Sequence, residues 1–330
     1  MIVCFVICPN GFGHLYRSID VINSLNKERK IEKIYIICSK EHKKKLKNFN
    51  EFKNKIFIKS TLPNLDLKIN PYVKLLKFYN FNLDSSILKK SDLIFSDNLI
   101  NINLPHYKTV FISNFFWGDV YKNANKQGEY SKLEKNFFNE RVKFILANRY
   151  FFIKNKFIKS KIIKIGFTKF KKNKFYKRNK SNKFLIYFGK NDIIPNKQIN
   201  SLKKSKYKIY TFNKALSKKH SFVTPLVRKT IDYDRFKFTL TKPGLGSIRD
   251  LLINKSIPIF YFRSNNYEYK MNYLNIKKKL KFAININNKS DIYKLINNEK
   301  FKNEIYLYNY NHFKFDGNEC ILKFIKNYEK

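Results

Sequence analysis

The chain has 330 residues, with 69 Lys+Arg against 24 Asp+Glu and a formal net charge of +45. That length suits two domains of ordinary size, and 43% hydrophobic with 17% aromatic residues excludes a disordered basic tail. Cys4, Cys8, Cys38 and Cys320 include no CxxC pair, which excludes a zinc ribbon and a disulfide framework and fits a reducing compartment.

Ile2–Cys8 is a continuous β-branched and aromatic run and predicts a buried strand. It stops at Pro9-Asn10, too short for a secretory segment or for the ~20 residues that span a bilayer. No later apolar run is that long, so the expectation is a soluble, cytoplasmic protein. Asn10–Gly13 follows as a turn, and Leu15, Ile19, Ile22 and Leu25 recur as one face of a helix. Lys33–Ser39 and Ile56–Leu62 predict strands, and Pro71–Lys89 a helical stretch. Asp92–Asp97, Thr109–Ser113 and Phe144–Ala147 predict three more strands, with a helix closing at Asn136–Asn139. Lys169–Lys183 is rich in Lys, Asn and Arg, lacks periodicity, and reads as a linker. Beyond it the alternation resumes: strands Phe184–Phe188, Ile209–Phe212, Phe236–Thr241 and Ile257–Phe262, with helices Lys197–Lys203 and Ile248–Ile253. Strand–helix alternation on both sides of the linker predicts an α/β chain of two Rossmann-like domains, 1–168 and 184–330, joined by 169–183.

Two accounts of the charge are open. Lys, Asn, Ile, Phe and Tyr are swollen together, as A/T-rich codons would make them, and this needs no partner. The other account is an anionic partner. The runs Lys43-Lys44-Lys45, Lys171-Lys172 and Lys277-Lys278-Lys279 are short, and no RRM, KH, zinc-finger or helix-turn-helix signature accompanies them. Compositional drift therefore weighs more, and no specific nucleic acid is expected.

Three segments carry chemistry. In the first, Pro9 to Arg17, Gly11 and Gly13 let the backbone bend tightly and approach a ligand, and a helix N-terminus behind them favours an anion. His14 stands at that junction, at the carboxyl edge of the predicted sheet. It either takes a proton from an attacking hydroxyl or simply caps the turn. The second, Thr241 to Asp250, repeats the arrangement of strand end, glycine turn and helix start. Amides around Gly244, Gly246 and Ser247 suit a diphosphate, and Asp250 suits a ribose diol; an ordinary capped helix is the alternative. In the third, Glu268 and Asn272 are four apart after a strand, a pairing that suits sugar hydroxyls or a solvated face. Neither a GxGxxG fingerprint nor a P-loop is present, which weakens dinucleotide and ATPase readings.

Taken in order, these segments resemble the MurG-like glycosyltransferases of the GT-B fold. Thr241–Leu274 is similar to that family's donor signature, a Gly-Gly-x-Gly-Thr-x-x-Glu loop followed by a Glu-Gln-x-x-Asn-Ala box, and Asp92–Ser113 resembles a further stretch. There are departures. Pro243 stands for the first glycine, Ser247 for Thr, Asp250 for Glu, and Tyr269-Lys270 begins where Gln is expected. Phe188-Gly189-Lys190-Asn191-Asp192 replaces a Gly-Gly-Ser type turn, with Lys190 placed to contact the diphosphate instead.

The resemblance implies two domains facing a central cleft, with the acceptor domain first and the nucleotide-sugar domain second. It implies inverting transfer from a UDP-sugar-type donor to a hydroxyl of a lipid- or glycan-linked acceptor, as in cell-envelope polysaccharide synthesis, with no metal or other cofactor. It implies that His14 faces the donor sugar, as the catalytic base or at least lining the reacting end. Asp97 ends a strand at the same predicted sheet edge, a position from which it orients the imidazole or itself takes the proton. Gly11, Gly13, Gly189, Lys190, Gly244, Gly246, Ser247, Asp250, Glu268 and Asn272 would hold the donor. An anionic membrane surface as partner, and a peripheral place on the cytoplasmic leaflet, stay open. So do two other functions: a nucleotide-sugar hydrolase or epimerase on the same fold, and a non-enzymatic basic protein that binds RNA or membrane.

Overall fold

The computed structural model describes residues 1–46, 55–63, 71–120, 128–152, 158–169, 182–188, 195–226, 235–263, 266–281, 283–286, 290–306 and 312–328, with the side chains of 71–74, 128 and 306 left aside. Two compact units divide the chain: Met1–Lys172 with Lys314–Lys330, and Asn173–Phe313.

Among the described residues the first unit holds seven strands: β1 (Ile2–Ile7), β2 (Lys33–Ser39), β3 (Ile56–Leu62), β4 (Leu93–Asp97), β5 (Thr109–Ser113), β6 (Phe144–Asn148) and β7 (Lys161–Ile165). They lie in the order β3-β2-β1-β4-β5-β6-β7, with every neighbouring pair parallel. A parallel sheet is covered on both faces, which is why β1, Leu93–Phe95 of β4 and Val110–Ile112 of β5 read as unbroken apolar runs. Phe5 of β1 stacks on Phe95 of β4 with ring centroids 5.0 Å apart. The helix Phe12–Leu25 buries Leu15, Ile19, Ile22 and Leu25, the face its periodicity predicts. It also buries Arg17 and Ser18, which that periodicity leaves on the polar side.

The second unit repeats the design. Its described strands are β8 (Lys183–Tyr187), β9 (Lys208–Thr211), β10 (Val223–Pro225), β11 (Phe238–Thr241), β12 (Ile257–Phe260) and β13 (Ile284–Asn285). Their order is β10-β9-β8-β11-β12-β13, again parallel throughout. Each sheet therefore reverses its strand order once, between β1 and β4 and between β8 and β11. In open α/β sheets that reversal opens a crevice at the carboxyl ends of the strands, where ligands bind.

Two features differ from the sequence reading. The stretch Pro71–Lys89 is two helices, Pro71–Tyr79 and Ser85–Lys90, because Asp84 caps the second one and accepts the Ile87 N–H. The end of the chain belongs with the first unit, whereas the sequence alone runs the second domain to residue 330. Its helix Gly317–Tyr328 sends Ile321 and Ile325 into the core that holds Leu146 and Ile165. The Gly317 N–H donates to the Phe167 carbonyl at 3.1 Å, and the Gly166 N–H to Asp316 Oδ1 at 3.0 Å. The linker expected over 169–183 falls largely outside the described residues.

Candidate active site

In the first unit the chemistry gathers at the β1/β4 reversal. β1 ends at Ile7, paired in register with Asp97, and the Cys8 N–H donates to the Asp97 carbonyl at 3.2 Å. Gly11 then caps the helix Phe12–Leu25 with φ 74° and ψ 179°, a conformation essentially reserved for glycine. A Cβ there would meet nothing within 4 Å, so the demand is conformational rather than steric. Gly13, inside the first helical turn, has no such demand.

This turn aims His14 at the end of β4. His14 Nδ1 lies 2.8 Å from Asp97 Oδ1. Arg17 Nη2, which can only donate, also lies 3.2 Å from Nδ1. The ionised Asp97 oxygen can only accept and is the nearer of the two, so it favours the tautomer with the proton on Nδ1 and the lone pair on Nε2. Asp97 is fully buried and takes three further donors. Ser18 Oγ donates to Oδ2 at 2.7 Å, Arg17 Nε to Oδ2 at 3.1 Å, and Arg17 Nη2 to Oδ1. Burial alone would raise the Asp97 carboxyl. The Arg17 guanidinium and the bond from His14 outweigh it and hold the group well below the usual carboxylate range. The result is a His–Asp–Arg cluster whose centre is ionised at neutral pH.

Two supports surround it. The Trp117 ring lies against the His14 ring, centroids 6.4 Å apart, and its Nε1 donates to the Asn98 carbonyl at 3.2 Å. The N–H groups of Trp117 and Gly118 both donate to the Glu134 carboxylate, at 3.0 and 2.8 Å. Burial pushes Glu134 up to about 8 in spite of those two donors. Gly118 is required by close approach: a Cβ there would sit 2.6 Å from Glu134 Oε2. On the other side, His42 Nε2 is 2.9 Å from the Gly11 carbonyl.

The second unit carries the other motif at the β8/β11 reversal. β11 ends at Thr241, and the helix Leu245–Ile253 starts after Gly244, which supplies no side-chain cap. The first-turn N–H groups at Leu245, Gly246 and Ser247 thus face no capping side chain, and an uncapped helix start suits an anion. Asp250 Oδ1 is held by its neighbour Arg249, with Nε and Nη2 each at 2.9 Å. Lys242 Nζ stands over the Tyr269 ring at 5.3 Å. Burial raises the Glu268 carboxyl to about 7, and Lys242 opposes the rise. Glu268 and Asn272 share the helix Tyr267–Lys279, but only Glu268 is partly open, since Asn272 is fully buried. Neither amide atom of Asn272 has a hydrogen-bond partner among the described residues. Gly189 and Lys190 lie outside the described residues.

The structure thus brings His14 and Asp97 together in one unit and places Gly244, Gly246, Ser247, Asp250, Glu268 and Asn272 in the other. Sequence reasoning missed Arg17, Ser18, His42, Trp117 and Glu134. For Arg17 and Ser18 a signal was present, because positions three and four beyond His14 share its helical face. Among the described residues no three His, Cys, Asp or Glu side chains are grouped to hold a metal ion, and no helix is long and apolar enough to cross a membrane.

The paired parallel sheets, each with its reversal, are the architecture of the GT-B glycosyltransferases, and comparison with solved structures gives the same fold. UGT89C1 of Arabidopsis thaliana, solved with UDP-L-rhamnose, has a TM-score of 0.65 with 11% identity over 92% of both chains. A UDP-glucosyltransferase from Polygonum tinctorium capable of glucosylating indoxyl has a TM-score of 0.68 with 10% identity, over 100% of this chain and 98% of that one. The spinosyn forosaminyltransferase SpnP has a TM-score of 0.66 with 8% identity over the whole of both chains. No protein-family model matches the sequence, and neither does any curated protein.

Proposed function

We propose that this protein is an inverting glycosyltransferase that moves a sugar from a UDP-sugar-type donor to an acceptor hydroxyl. The observation that carries the reading is the buried Asp97 carboxylate on His14 Nδ1, at the strand-order reversal of a GT-B fold. The solved structures similar to it include a complex with UDP-L-rhamnose and a UDP-glucosyltransferase, which supports the donor class.

The chemistry follows from the arrangement. His14 Nε2 accepts the proton of the acceptor hydroxyl as its oxygen bonds to the anomeric carbon. The bond from that carbon to the diphosphate oxygen breaks, and its electron pair leaves with the diphosphate. The configuration inverts because attack and departure lie on opposite faces. Asp97 stays ionised, keeps the imidazole in the Nδ1–H form and stabilises the imidazolium; Arg17 and Ser18 keep Asp97 in place. Within the second unit, the uncapped start of the helix Leu245–Ile253 offers N–H groups and a dipole end suited to the diphosphate of a nucleotide-sugar.

Glu268 accepts from hydroxyls of the donor sugar in this reading. The acceptor is a lipid- or glycan-linked hydroxyl, which the MurG-like motifs support and the net charge of +45 suits, since an anionic leaflet attracts lysines. A thermal-shift screen against UDP-, GDP-, CMP- and dTDP-sugars tests the donor class. Stabilisation by UDP-sugars alone is expected, and none from any nucleotide sugar would remove the reading.

A further inference from the structure

The first glycine turn is held from outside by a side chain that no step of the proposed transfer uses. His42 lies in the helix Lys40–Leu46 after β2, 31 residues from Gly11, and is only 2% exposed. Its Nε2 meets the Gly11 carbonyl at 2.9 Å, and its ring packs on Phe12 with centroids 5.7 Å apart. A carbonyl only accepts, so the proton of this imidazole is on Nε2. Its Nδ1 has no hydrogen-bond partner among the described residues. A buried imidazole with one bond made and one nitrogen bare costs stability, so its place calls for a compensating role. The Gly11 peptide is where such a role has leverage. It has the φ 74°, ψ 179° conformation that starts the helix, and His14 follows three residues later.

We propose that His42 is a positioning residue: its Nε2–H fixes the Gly11 peptide, and the fixed peptide sets where His14 meets Asp97. Burial drives the imidazole down to about 4; the Gly11 bond opposes this, His14 adds to it and Asp97 opposes it. His42 is therefore neutral through the physiological range and keeps donating. Misplacement of a reacting group by about 1 Å costs on the order of 10²-fold in rate, so a held turn matters to turnover without touching substrate.

The turnover part rests on the transferase reading; the placement part does not, and one experiment separates them. The full chain with 15N-labelled histidine gives tautomer-resolved 1H–15N spectra of His14 and His42, alongside kcat and KM for the donor. His42→Gln carries an amide that reaches the Gly11 carbonyl, while His42→Asn is one methylene too short. The expected result is a His14 Nδ1–H signal in wild type and His42→Gln. In His42→Asn that signal is lost and kcat falls by about 10- to 100-fold with KM unchanged. Equal behaviour of the two variants overturns the proposal. Should neither variant fold, the wild-type spectrum decides: a His42 proton on Nδ1 overturns the proposal, and one on Nε2 supports it. If the His14 signal follows the expected pattern while no nucleotide sugar is turned over, the positioning role stands and the transferase reading is what fails.

Discussion

His14 and Asp97 are 83 residues apart in the chain, and their Nδ1 and Oδ1 atoms are 2.8 Å apart in the fold. The sheet makes that meeting. β1 and β4 are neighbours only because the strand order reverses between them, so the residues that end these two strands share one edge.

The buried carboxylate gives the first prediction. Asp97→Ala leaves Arg17 buried without its partner and should destabilise the protein by about 3–5 kcal/mol. The pH dependence has a definite sign. The folded carboxyl lies below its unfolded value, so its contribution is complete above about pH 4 and is lost as pH falls through the folded value. Acid melts of the wild type should show that loss, and melts of Asp97→Asn should lack this component. Identical acid limbs in the two proteins would refute the ionised centre.

Glu134 behaves in the opposite sense. Its folded value, about 8, lies above the unfolded one, so the folded chain binds the extra proton. Stability should fall as pH rises from about 4.5 to about 8 and then level off, by a few kcal/mol at most. Glu134→Gln should remove that fall, measured as melting temperature at pH 5 and pH 8. A pH response that survives in Glu134→Gln places its source elsewhere.

Two neighbouring glycines should respond differently. Gly11→Ala forces a side chain into a backbone region essentially closed to it, at a cost of roughly 1–3 kcal/mol. Gly13→Ala enters open space within a helix and should stabilise by about 0.5–1 kcal/mol. Urea melts of the two variants check both signs.

Much of this was legible in the sequence. Apolar runs such as Ile2–Cys8 and Thr109–Ser113 are what doubly covered parallel strands must be made of, and they mark the strands of both sheets. The strand Lys161–Ile165 was less visible because Lys161 and Lys164 interrupt it at the end of the sheet. The apolar face of Gly317–Tyr328 says that the helix packs, but not on which sheet, and only the fold returns it to the first unit. His42 was hidden inside Lys40–Leu46, a segment that reads as a solvated charge run, because nothing local shows that one face turns inward toward Gly11. Asp97 was readable as a strand end. Its partnership with His14 was expected too, whereas the bonds from Arg17 and Ser18 were masked, since these residues look like the polar side of an amphipathic helix and only their spacing from His14 hints otherwise.

Donor binding should itself depend on pH. Glu268 is raised to about 7, so the ionised form, the better acceptor for sugar hydroxyls, gains from pH 6 to pH 8. Affinity for a UDP-sugar, relative to free UDP, should tighten over that range by calorimetry. Glu268→Gln should abolish the trend and weaken binding by about 1–3 kcal/mol. The same pH response for UDP alone would move its origin away from the sugar.

The central claim is that His14 takes the acceptor proton with Asp97 behind it. Its most direct test is nucleotide release by His14→Ala from the UDP-sugar that stabilises the wild type, with donor affinity measured on the same sample. A folded variant with donor affinity unchanged and turnover lower by about 10²–10⁴-fold is expected. A folded His14→Ala protein that binds donor and turns over at the wild-type rate would contradict it.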